Sequence, residues 1–351
     1  MFLYNKQKHC SIKHMGELLM NFKKQITVLC SALALAVIPL SQAQAKTYRI
    51  VYAGFYGPTH PSTLAMEKFK EVLDQSGLDF KVTLKPNAEA GGEEKIMELV
   101  KRNTIQIAHA GCIIKGDEPR IGAIEMPFAL DDWDHARRVF TSPDISKFSY
   151  DYTKNSGVYI QGYIGSGFRQ IQSSFPINNM DDFKKLKLRV PLNDLFVEVF
   201  EALGAHPTPM PATELYTSLE THVVDGHENP FSVDKASGYW EVQSDLLRTN
   251  HIFSPIHILV NKKFYDGLPD DYKAAFDKAM KASVDYYWEI APKDDEDSLN
   301  FMLEKGNKLV EPDDAFKQQM KDAMVPVYKW MDEQWESAPA IREYFDSMKA
   351  K

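Results

Sequence analysis

Residues 165–230 of the chain read GSGFRQIQSSFPINNMDDFKKLKLRVPLNDLFVEVFEALGAHPTPMPATELYTSLETHVVDGHENP. The apolar and β-branched run at 186–190 predicts a strand, and apolar residues at helical spacing predict helices over 195–203 and 213–222. Such mixing of strands and helices is typical of α/β proteins, whose ligands bind beyond the carboxyl ends of the parallel strands. We therefore predict an α/β fold with a ligand site at the strand ends.

The same alternation precedes this stretch. Strands are predicted over 47–56, 79–84 and 105–110, and helices are predicted from Pro61 and over 93–102. Helices between successive strands indicate βαβ units and a parallel sheet. The loops after Ala53 and after Ala108 are therefore the first places to look for a site.

Long helices are predicted towards the C-terminus. One runs from Asp270 to Ala291 and is expected to end at Pro292, because an interior proline removes a backbone hydrogen bond. A second is expected to continue to Gly306, and a third to run from Asp313 towards Glu336.

Length and charge limit the classes of function. A chain of 351 residues is expected to form two domains, because single cores rarely grow to this size. The formal net charge of −8 offers no electrostatic footprint for a polyanion, so we expect no nucleic-acid partner.

The N-terminal segment has the pattern of a secretory signal peptide. A basic pair at 23–24 precedes the apolar run ITVLCSALALAVIPL at 26–40, and a small-residue cleavage motif ends at Ala45. The run is shorter than the roughly 20 residues of a spanning helix, which makes a retained anchor the less favoured alternative. We expect translation to start at Met20 or Met15, and the mature protein to lie in the periplasm.

No motif of an enzyme or a metal site is present. The sequence has no G-x-S-x-G, no H-E-x-x-H, no zinc-type Cys/His spacing and no P-loop, and His251 and His257 are poorly spaced for a metal. We predict no catalytic residue, no cofactor and no metal. Cys112 lies in an apolar run and is predicted to be a buried structural thiol.

Several ordered motifs of the opening stretch carry a resemblance. They are G-F-R-Q at 167–170, P-I-x-x-x-D-D-F-K-x-L-K-L-R-V-P at 176–191, L-G-A-x-P-T-P-M at 203–210, E-L-Y-x-x-L-E at 214–220 and V-V-D-G-x-E-N-P at 223–230. In these motifs the chain resembles the solute-binding proteins of TRAP transporters, the tripartite ATP-independent periplasmic systems of the DctP family. Weaker similarity extends over nearly all of the chain after the signal segment.

The resemblance implies a two-domain periplasmic binding protein fold, with discontinuous domains joined by hinge crossings and long C-terminal helices, and a ligand cleft between the domains. The implied division is residues 1–45 as N-terminal extension and signal peptide, 46–166 with 254–292 as domain I, and 167–253 with 293–351 as domain II. The chain is expected to cross near Gly165, Phe253 and Pro292.

The resemblance also implies which residues bind the ligand. Arg189 is expected to clamp a carboxylate, because guanidinium presents a planar fork that matches two carboxylate oxygens. Arg169 is expected to be a second cation beside it, and Asn229 to offer a pocket amide. The alternative for both arginines is an ordinary structural role. Asp225 and Glu228 are expected to be structural, because an unpaired anion beside an anionic ligand is costly.

Four further residues are candidates for the pocket. Phe55 and Tyr56 follow the first strand and are expected to form an apolar wall, or else to be core aromatics. His109, where the sialic-acid branch has a glutamate, can bind a hydroxyl or a second carboxylate, with a structural histidine as the alternative. Asn193 lies one position after the asparagine of that branch.

Two departures, Leu192 after R-V-P and Ala212 in place of an aromatic residue, argue against the ligands of the sialic-acid and ectoine branches. The implied function is that of a monomeric periplasmic receptor that delivers a C4-dicarboxylate, a sugar acid or a related carboxylate to TRAP permease subunits. A receptor for chemotaxis or a sensor kinase, a periplasmic enzyme and a binding protein of an ABC system are the alternatives. The identity of the acid is left open.

Overall fold

The computed structural model describes residues 46–116 and 119–350, so the predicted signal segment and its cleavage site lie outside the described residues. The strands of this part of the chain are β1 (Tyr48–Ala53), β2 (Phe80–Lys85), β3 (Ile107–Ala110), β4 (Val158–Phe168), β5 (Gln170–Ser173), β6 (Lys187–Val190), β7 (His206–Pro209), β8 (Gly226–Asn229), β9 (Asp245–Leu247), β10 (Phe253–Asn261) and β11 (Lys308–Val310).

The α-helices are α1 (Pro61–Asp74), α2 (Glu93–Lys101), α3 (Pro119–Gly122), α4 (Trp133–Thr141), α5 (Tyr150–Asn155), α6 (Met180–Phe183), α7 (Asp194–Ala202), α8 (Leu215–Glu220), α9 (Phe231–Ser237), α10 (Lys262–Asp266), α11 (Asp270–Glu304), α12 (Asp314–Asp322), α13 (Val325–Gln334) and α14 (Ala338–Ser347). Short 3₁₀ helices cover Cys112–Gly116, Ala123–Glu125, Pro143–Phe148, Ala212–Glu214 and Tyr239–Glu241. None of the helices in the described ranges is both long enough and apolar enough to cross a membrane.

The first sheet has the strand order β2-β1-β3-β10-β4. Strand β1 is parallel to β2 and β3, whereas β10 runs antiparallel between β3 and β4. All nine residues of β10 are buried, as expected for a central strand with both faces covered. The predicted βαβ units at the start of the chain are therefore confirmed.

The second sheet has the strand order β11-β9-β5-β8-β6-β7. Strand β6 is parallel to β7 and β8, and β5 runs antiparallel between β8 and β9. The chain leaves the first sheet after β4, enters the second at β5, and returns after β9 to β10. Arg169 is the single residue between β4 and β5, so it lies at the passage from one sheet to the other.

These two sheets confirm the predicted α/β class. The domain limits at 166, 253 and 292 stay a prediction, because Thr47–Lys351 packs as one compact unit and its largest hydrophobic core contains side chains from both sheets. Ile50 of β1 and Leu188 of β6, for example, belong to that same core.

The predicted helix end at Pro292 is wrong, because α11 continues through this residue. An interior proline costs about 3 kcal/mol through the lost hydrogen bond and crowding. Packing on both sides offsets this cost: Tyr287 and Trp288 are buried in the largest core, and Leu299 and Met302 are buried in a separate cluster.

The prediction of one continuous last helix from 313 to 336 is also wrong. Helices α12 and α13 cover this region, and the break between them lies at Ala323 and Met324. Pro326 occupies the first turn of α13, where a missing backbone N–H breaks no helical hydrogen bond.

Candidate ligand-binding site

A cavity of about 360 Å³ lies between elements of the two sheets. Elements that follow strands of the first sheet contribute Phe55, Tyr56, Gly57, Asn87, Ala88, Gly92, Glu93, Glu94, Cys112 and Ile113. The second sheet and its connections contribute Arg169, Arg189, Pro191, Leu192, Met210, Pro211, Ala212, Thr213, Tyr216, Asn229, Val233, Ala236, Ser237 and Tyr239. This volume is near the lower end of the roughly 300–1,000 Å³ of small-molecule sites.

Arg189 is a buried cation at the carboxyl end of β6, with 4% of its surface exposed. Its Nε and Nη2 donate to the carbonyl oxygen of Met210 at 3.0 and 2.7 Å. Among the described residues, no carboxylate lies within 4 Å of its guanidinium. Burial lowers the pKa of Arg189, but a guanidinium remains charged at physiological pH. The cavity therefore contains a positive charge that can bind an anion.

Arg169 is equally buried, but it has a full set of protein partners. Its Nε and Nη2 pair with the Glu228 carboxylate, where Nη2 lies 2.7 Å from Oε1. Nη2 also donates to the Glu228 carbonyl at 2.6 Å and to Asn229 Oδ1 at 3.0 Å, and Nη1 donates to Ser254 Oγ at 3.0 Å. The guanidinium carbon lies 4.9 Å from the ring centre of Phe196.

Charge pairing reverses the effect of burial on this pair. Burial lowers the pKa of Arg169, but the Glu228 carboxylate outweighs it and raises that pKa above its usual value. Burial raises the pKa of Glu228, and the Arg169 charge with a His251 hydrogen bond brings it below its usual value. Arg169 and Glu228 thus form a neutralised pair, and the structural role predicted for Glu228 matches its contacts. Asp225 also has a structural contact, since its Oδ2 accepts the backbone N–H of Lys187 at 3.1 Å.

Asn229 ends β8 beside Arg169 and lines the cavity. Its Oδ1 accepts from Arg169, and its Nδ2 lies 3.4 Å from Nδ1 of His227. The side chain is therefore held by the paired arginine. The residue that follows, Pro230, begins the turn into α9 and favours extended backbone at Asn229.

Phe55 and Tyr56 form part of the cavity wall in the loop after β1. Their ring centres are 4.6 Å apart, and Tyr56 also stacks on His60 with ring centres 4.2 Å apart. Both side chains are half-buried, so the loop joins the core while it exposes ring surface to the cavity.

His109 and Asn193 are not part of the cavity lining. His109 is buried in β3, and its Nε2 shares a 2.9 Å hydrogen bond with Tyr52 Oη. Burial lowers the pKa of His109 to about 3, so the ring is neutral at physiological pH. Asn193 caps α7, since its Oδ1 accepts the Leu195 N–H at 3.0 Å and its Nδ2 donates to the Cys112 carbonyl at 2.8 Å. Both side chains are occupied by protein partners.

Cys112 is less buried than the buried structural thiol that the sequence predicts. It is half-buried and lines the cavity, because the chain turns into a 3₁₀ helix after β3. Burial raises the pKa of the thiol well above its usual value. A protonated thiol is a poor nucleophile, so the cavity wall is the role that its environment supports.

Sequence reasoning missed Glu93, the first residue of α2. Its Oε1 accepts the Gly111 N–H at 2.5 Å, and burial raises the pKa of the carboxyl group to about 8. It lines the cavity together with the exposed Glu94. The signal was available, because α2 begins just after the carboxyl end of β2, where α/β proteins place their ligands.

The family model for bacterial extracellular solute-binding proteins of family 7, DctP, matches residues 52–334 of this chain. The chain belongs to this family. As a DctP-family protein it is a TRAP solute-binding protein, and these proteins are periplasmic components of transport systems.

Three relatives show how far the similarity extends. The 2,3-diketo-L-gulonate-binding periplasmic protein YiaO of Escherichia coli K12 is 26% identical over 86% of this chain and 94% of YiaO. A TRAP solute-binding protein of Haemophilus influenzae RdAW, solved with L-gulonate, is 32% identical, covers 87% of this chain and 100% of its own, and has a TM-score of 0.82. The sugar acid-binding protein DctPAm of Advenella mimigardefordensis, solved with galactonate, is 28% identical over 87% and 99% of the two chains, with a TM-score of 0.83.

Proposed function

We propose that this DctP-family protein captures a small organic acid in the periplasm through Arg189 and delivers it to the membrane subunits of a TRAP permease. The observation that carries the proposal is the buried Arg189 guanidinium, which lines the cavity and has no carboxylate partner among the described residues. The acids bound to the related structures, gulonate and galactonate, are carboxylates that such a cation recognises.

The strength of this contact suits a transport receptor. A hydrogen bond between charged groups contributes about 1.5–3 kcal/mol. Micromolar affinity corresponds to about 8 kcal/mol, so two or three such bonds supply a large part of it. Arg189 provides the charge, Asn229 provides an amide, and Phe55 and Tyr56 provide apolar surface.

The remaining parts of the proposal concern export, motion and partners. Residues 1–45 contain the signal peptide that directs the chain to the periplasm, and the mature protein acts as a monomer without catalytic residues or cofactor. Domains I and II close around the acid at hinge crossings near Gly165, Phe253 and Pro292. Ligand contacts that form only in the closed state drive this change, and the closed surface engages the permease.

Thermal unfolding with a ligand panel tests the proposal. The panel contains succinate, 2-oxoglutarate, L-gulonate, D-galactonate and D-glucuronate, and at least one acid is expected to raise the melting temperature, because a ligand that binds only the native state stabilises it. A panel that produces no shift contradicts the proposed function.

Arg189→Lys tests the clamp itself. Lysine keeps the charge but lacks the planar fork, so the variant is expected to lose most of the ligand-induced shift while the ligand-free melting temperature stays close to that of the wild type. Arg342→Lys is the matched control, because Arg342 forms a partly exposed pair with Asp332 and does not line the cavity. Normal binding by Arg189→Lys rules out the clamp.

A further inference from the structure

His227 is a fully buried histidine next to two residues that line the cavity. It lies on β8, where its strand neighbours are Gln172 of β5 and Arg189 of β6. Asn229, two residues further along the same strand, lines the cavity, as Arg189 does, whereas His227 does not. Because side chains alternate along a strand, His227 and Asn229 lie on the same face of the sheet. His227 is therefore placed to act on the cavity through a neighbour.

The hydrogen bonds of Asn229 determine which way its amide group points. Its Oδ1 lies 3.0 Å from Nη2 of Arg169, and a guanidinium can only donate, so the amide oxygen faces Arg169. The amide nitrogen then faces His227, with Nδ2 at 3.4 Å from Nδ1 of the ring. An amide nitrogen can only donate, so Nδ1 must accept, and the neutral ring carries its proton on Nε2.

The surroundings of His227 keep the imidazole neutral, as an accepting Nδ1 requires. Burial, together with the positive charge of Arg189, lowers the pKa of His227 to about 3. Oδ1 of Asp234 lies 3.8 Å from Nδ1, which is beyond hydrogen-bond distance. Burial also raises the pKa of Asp234 well above its usual value. In the part of the chain that the structure describes, Asn229 is therefore the hydrogen-bond partner of Nδ1.

This arrangement leaves one amide hydrogen of Asn229 for a ligand. The amide nitrogen has two hydrogens, and His227 accepts one of them. Because Oδ1 is used by Arg169, the second N–H is the polar group that Asn229 can offer to the cavity. Rotation of the amide by half a turn would set its nitrogen against the Arg169 donor and its oxygen against the accepting Nδ1. The two contacts together hold Asn229 as a donor.

We infer that His227 is a positioning residue of the ligand site: its neutral ring accepts one amide hydrogen of Asn229 and thereby presents the other to an acceptor oxygen of the ligand. This inference rests on the proposed function and adds to it a residue that does not touch the ligand. His227 then contributes to affinity only through Asn229.

Leucine and asparagine at position 227 separate the hydrogen bond from packing. The two side chains have nearly the same shape and both lack the imidazole ring, but only asparagine keeps an acceptor oxygen near the position of Nδ1. Affinities of His227→Leu and His227→Asn are measured by isothermal titration calorimetry, with the acid of the panel above that raises the wild-type melting temperature most. Thermal unfolding without ligand records any change in stability separately from affinity.

His257 provides the matched control. Like His227, it is buried on a strand in the interior of its sheet. Each ring packs edge-on against a tyrosine, with ring centres 5.2 Å apart for His257 and Tyr163. The corresponding distance from His227 to Tyr239 is 4.8 Å. His257 does not line the cavity, and its Nδ1 contacts the backbone carbonyl of Ala110 at 3.1 Å. His257→Leu and His257→Asn are therefore expected to bind the acid equally well.

His227→Leu is expected to bind the acid about five- to tenfold more weakly than His227→Asn, which corresponds to the loss of one hydrogen bond. In the Asn229→Ala background the same two substitutions are expected to give affinities within about twofold of each other, because residues that act through one partner are not additive. Equal affinity of the two variants in the wild-type background, or the same five- to tenfold ratio, about unchanged, in the Asn229→Ala background, overturns the inference.

Failure of this inference is distinguishable from failure of the proposed function. If an acid of the panel binds the wild type and both variants at position 227 bind it equally well, the inference fails while the proposed function stands. If no acid of the panel binds the wild type, the proposed function fails, and the inference fails with it.

Discussion

Arg169 and Arg189 line the same cavity at nearly equal burial, 3% and 4% exposed, and yet their surroundings differ completely. At the passage between the sheets, Arg169 meets a carboxylate, a carbonyl, an amide and a hydroxyl. At the end of β6, the carbonyl oxygen of Met210 is the only acceptor among the described residues to which Arg189 donates. The first region is complete without ligand, whereas the second leaves a charge without a counter-ion among the described residues.

Within one cavity, Arg169 is therefore expected to contribute to stability and Arg189 to ligand binding. A side chain whose donors are all used by the protein contributes to folding, and its loss exposes the groups it served. A buried charge without a partner opposes folding and becomes favourable only when a ligand supplies the partner. Substitutions at the two arginines and at neighbouring residues test this separation.

Glu228→Gln is expected to have the largest effect on stability. It leaves the buried Arg169 without its counter-ion, and breaking a buried pair costs about 3–5 kcal/mol. Urea unfolding of the ligand-free protein measures this cost. Asp332→Asn is the control, because its partly exposed pair with Arg342 is worth only about 0–1 kcal/mol. Equal losses of unfolding free energy in the two variants would contradict the stabilising role of the Arg169–Glu228 pair.

Arg189→Met is expected to act on binding instead. The loss of two charge-assisted bonds corresponds to about 3 kcal/mol or more, which is a reduction of at least about a hundredfold in affinity. Ligand-free urea unfolding is expected to change little, because the substitution also removes an uncompensated buried charge. Calorimetry and unfolding are measured on the same preparation, and a large loss of ligand-free stability would place Arg189 in the same class as Arg169.

Asn193 is a second side chain whose polar atoms are used by protein partners, and a smaller effect on stability is expected when it is replaced. As the N-cap of α7, its replacement by alanine is expected to cost about 1 kcal/mol, whereas Asn193→Ser retains a capping oxygen and is expected to cost less. Neither variant is expected to change ligand affinity, measured by calorimetry. If Asn193→Ser retains stability but loses ligand affinity, Asn193 has a role in ligand binding.

The pH dependence of stability tests the buried carboxyl group of Glu93. Burial raises the pKa of Glu93 to about 8, so the folded protein holds this proton after the unfolded chain, with a pKa of about 4.3, has released it. The contribution of Glu93 is therefore complete below that lower pKa and is lost as the pH rises towards 8. Melting temperatures of the wild type at pH 5 and pH 8.5 are expected to differ more than those of Glu93→Gln, with Glu98→Gln behaving like the wild type.

The sequence predicted the local elements well, because hydrophobic periodicity and helix caps are local signals. The helix predicted over 93–102 is α2, and the strand predicted over 186–190 is β6, with limits that differ by one residue. Pro292 shows where such signals fail: packing of residues far apart in the chain outweighs the local cost of a proline.

The candidate site could be predicted only in part, for a similar reason. Motifs indicated Arg169 and Arg189 as two cations of one type, and only the fold shows that one of them is paired with Glu228. His109 and Asn193 lie near the expected strand ends, but their polar atoms are used by protein groups. Pairing between distant residues decides which side chain remains free, and periodicity carries no such information.

The strand order has a consequence for how the molecule folds. In the first sheet, β10 lies between β3 and β4, and it is synthesised only after β5–β9 of the second sheet. Strand β11, which completes the second sheet, is synthesised later still. Neither sheet can be assembled from one continuous stretch of chain. Contacts between such distant segments slow folding. The protein is therefore expected to fold late, after nearly all of the chain is available, and to unfold in one cooperative transition.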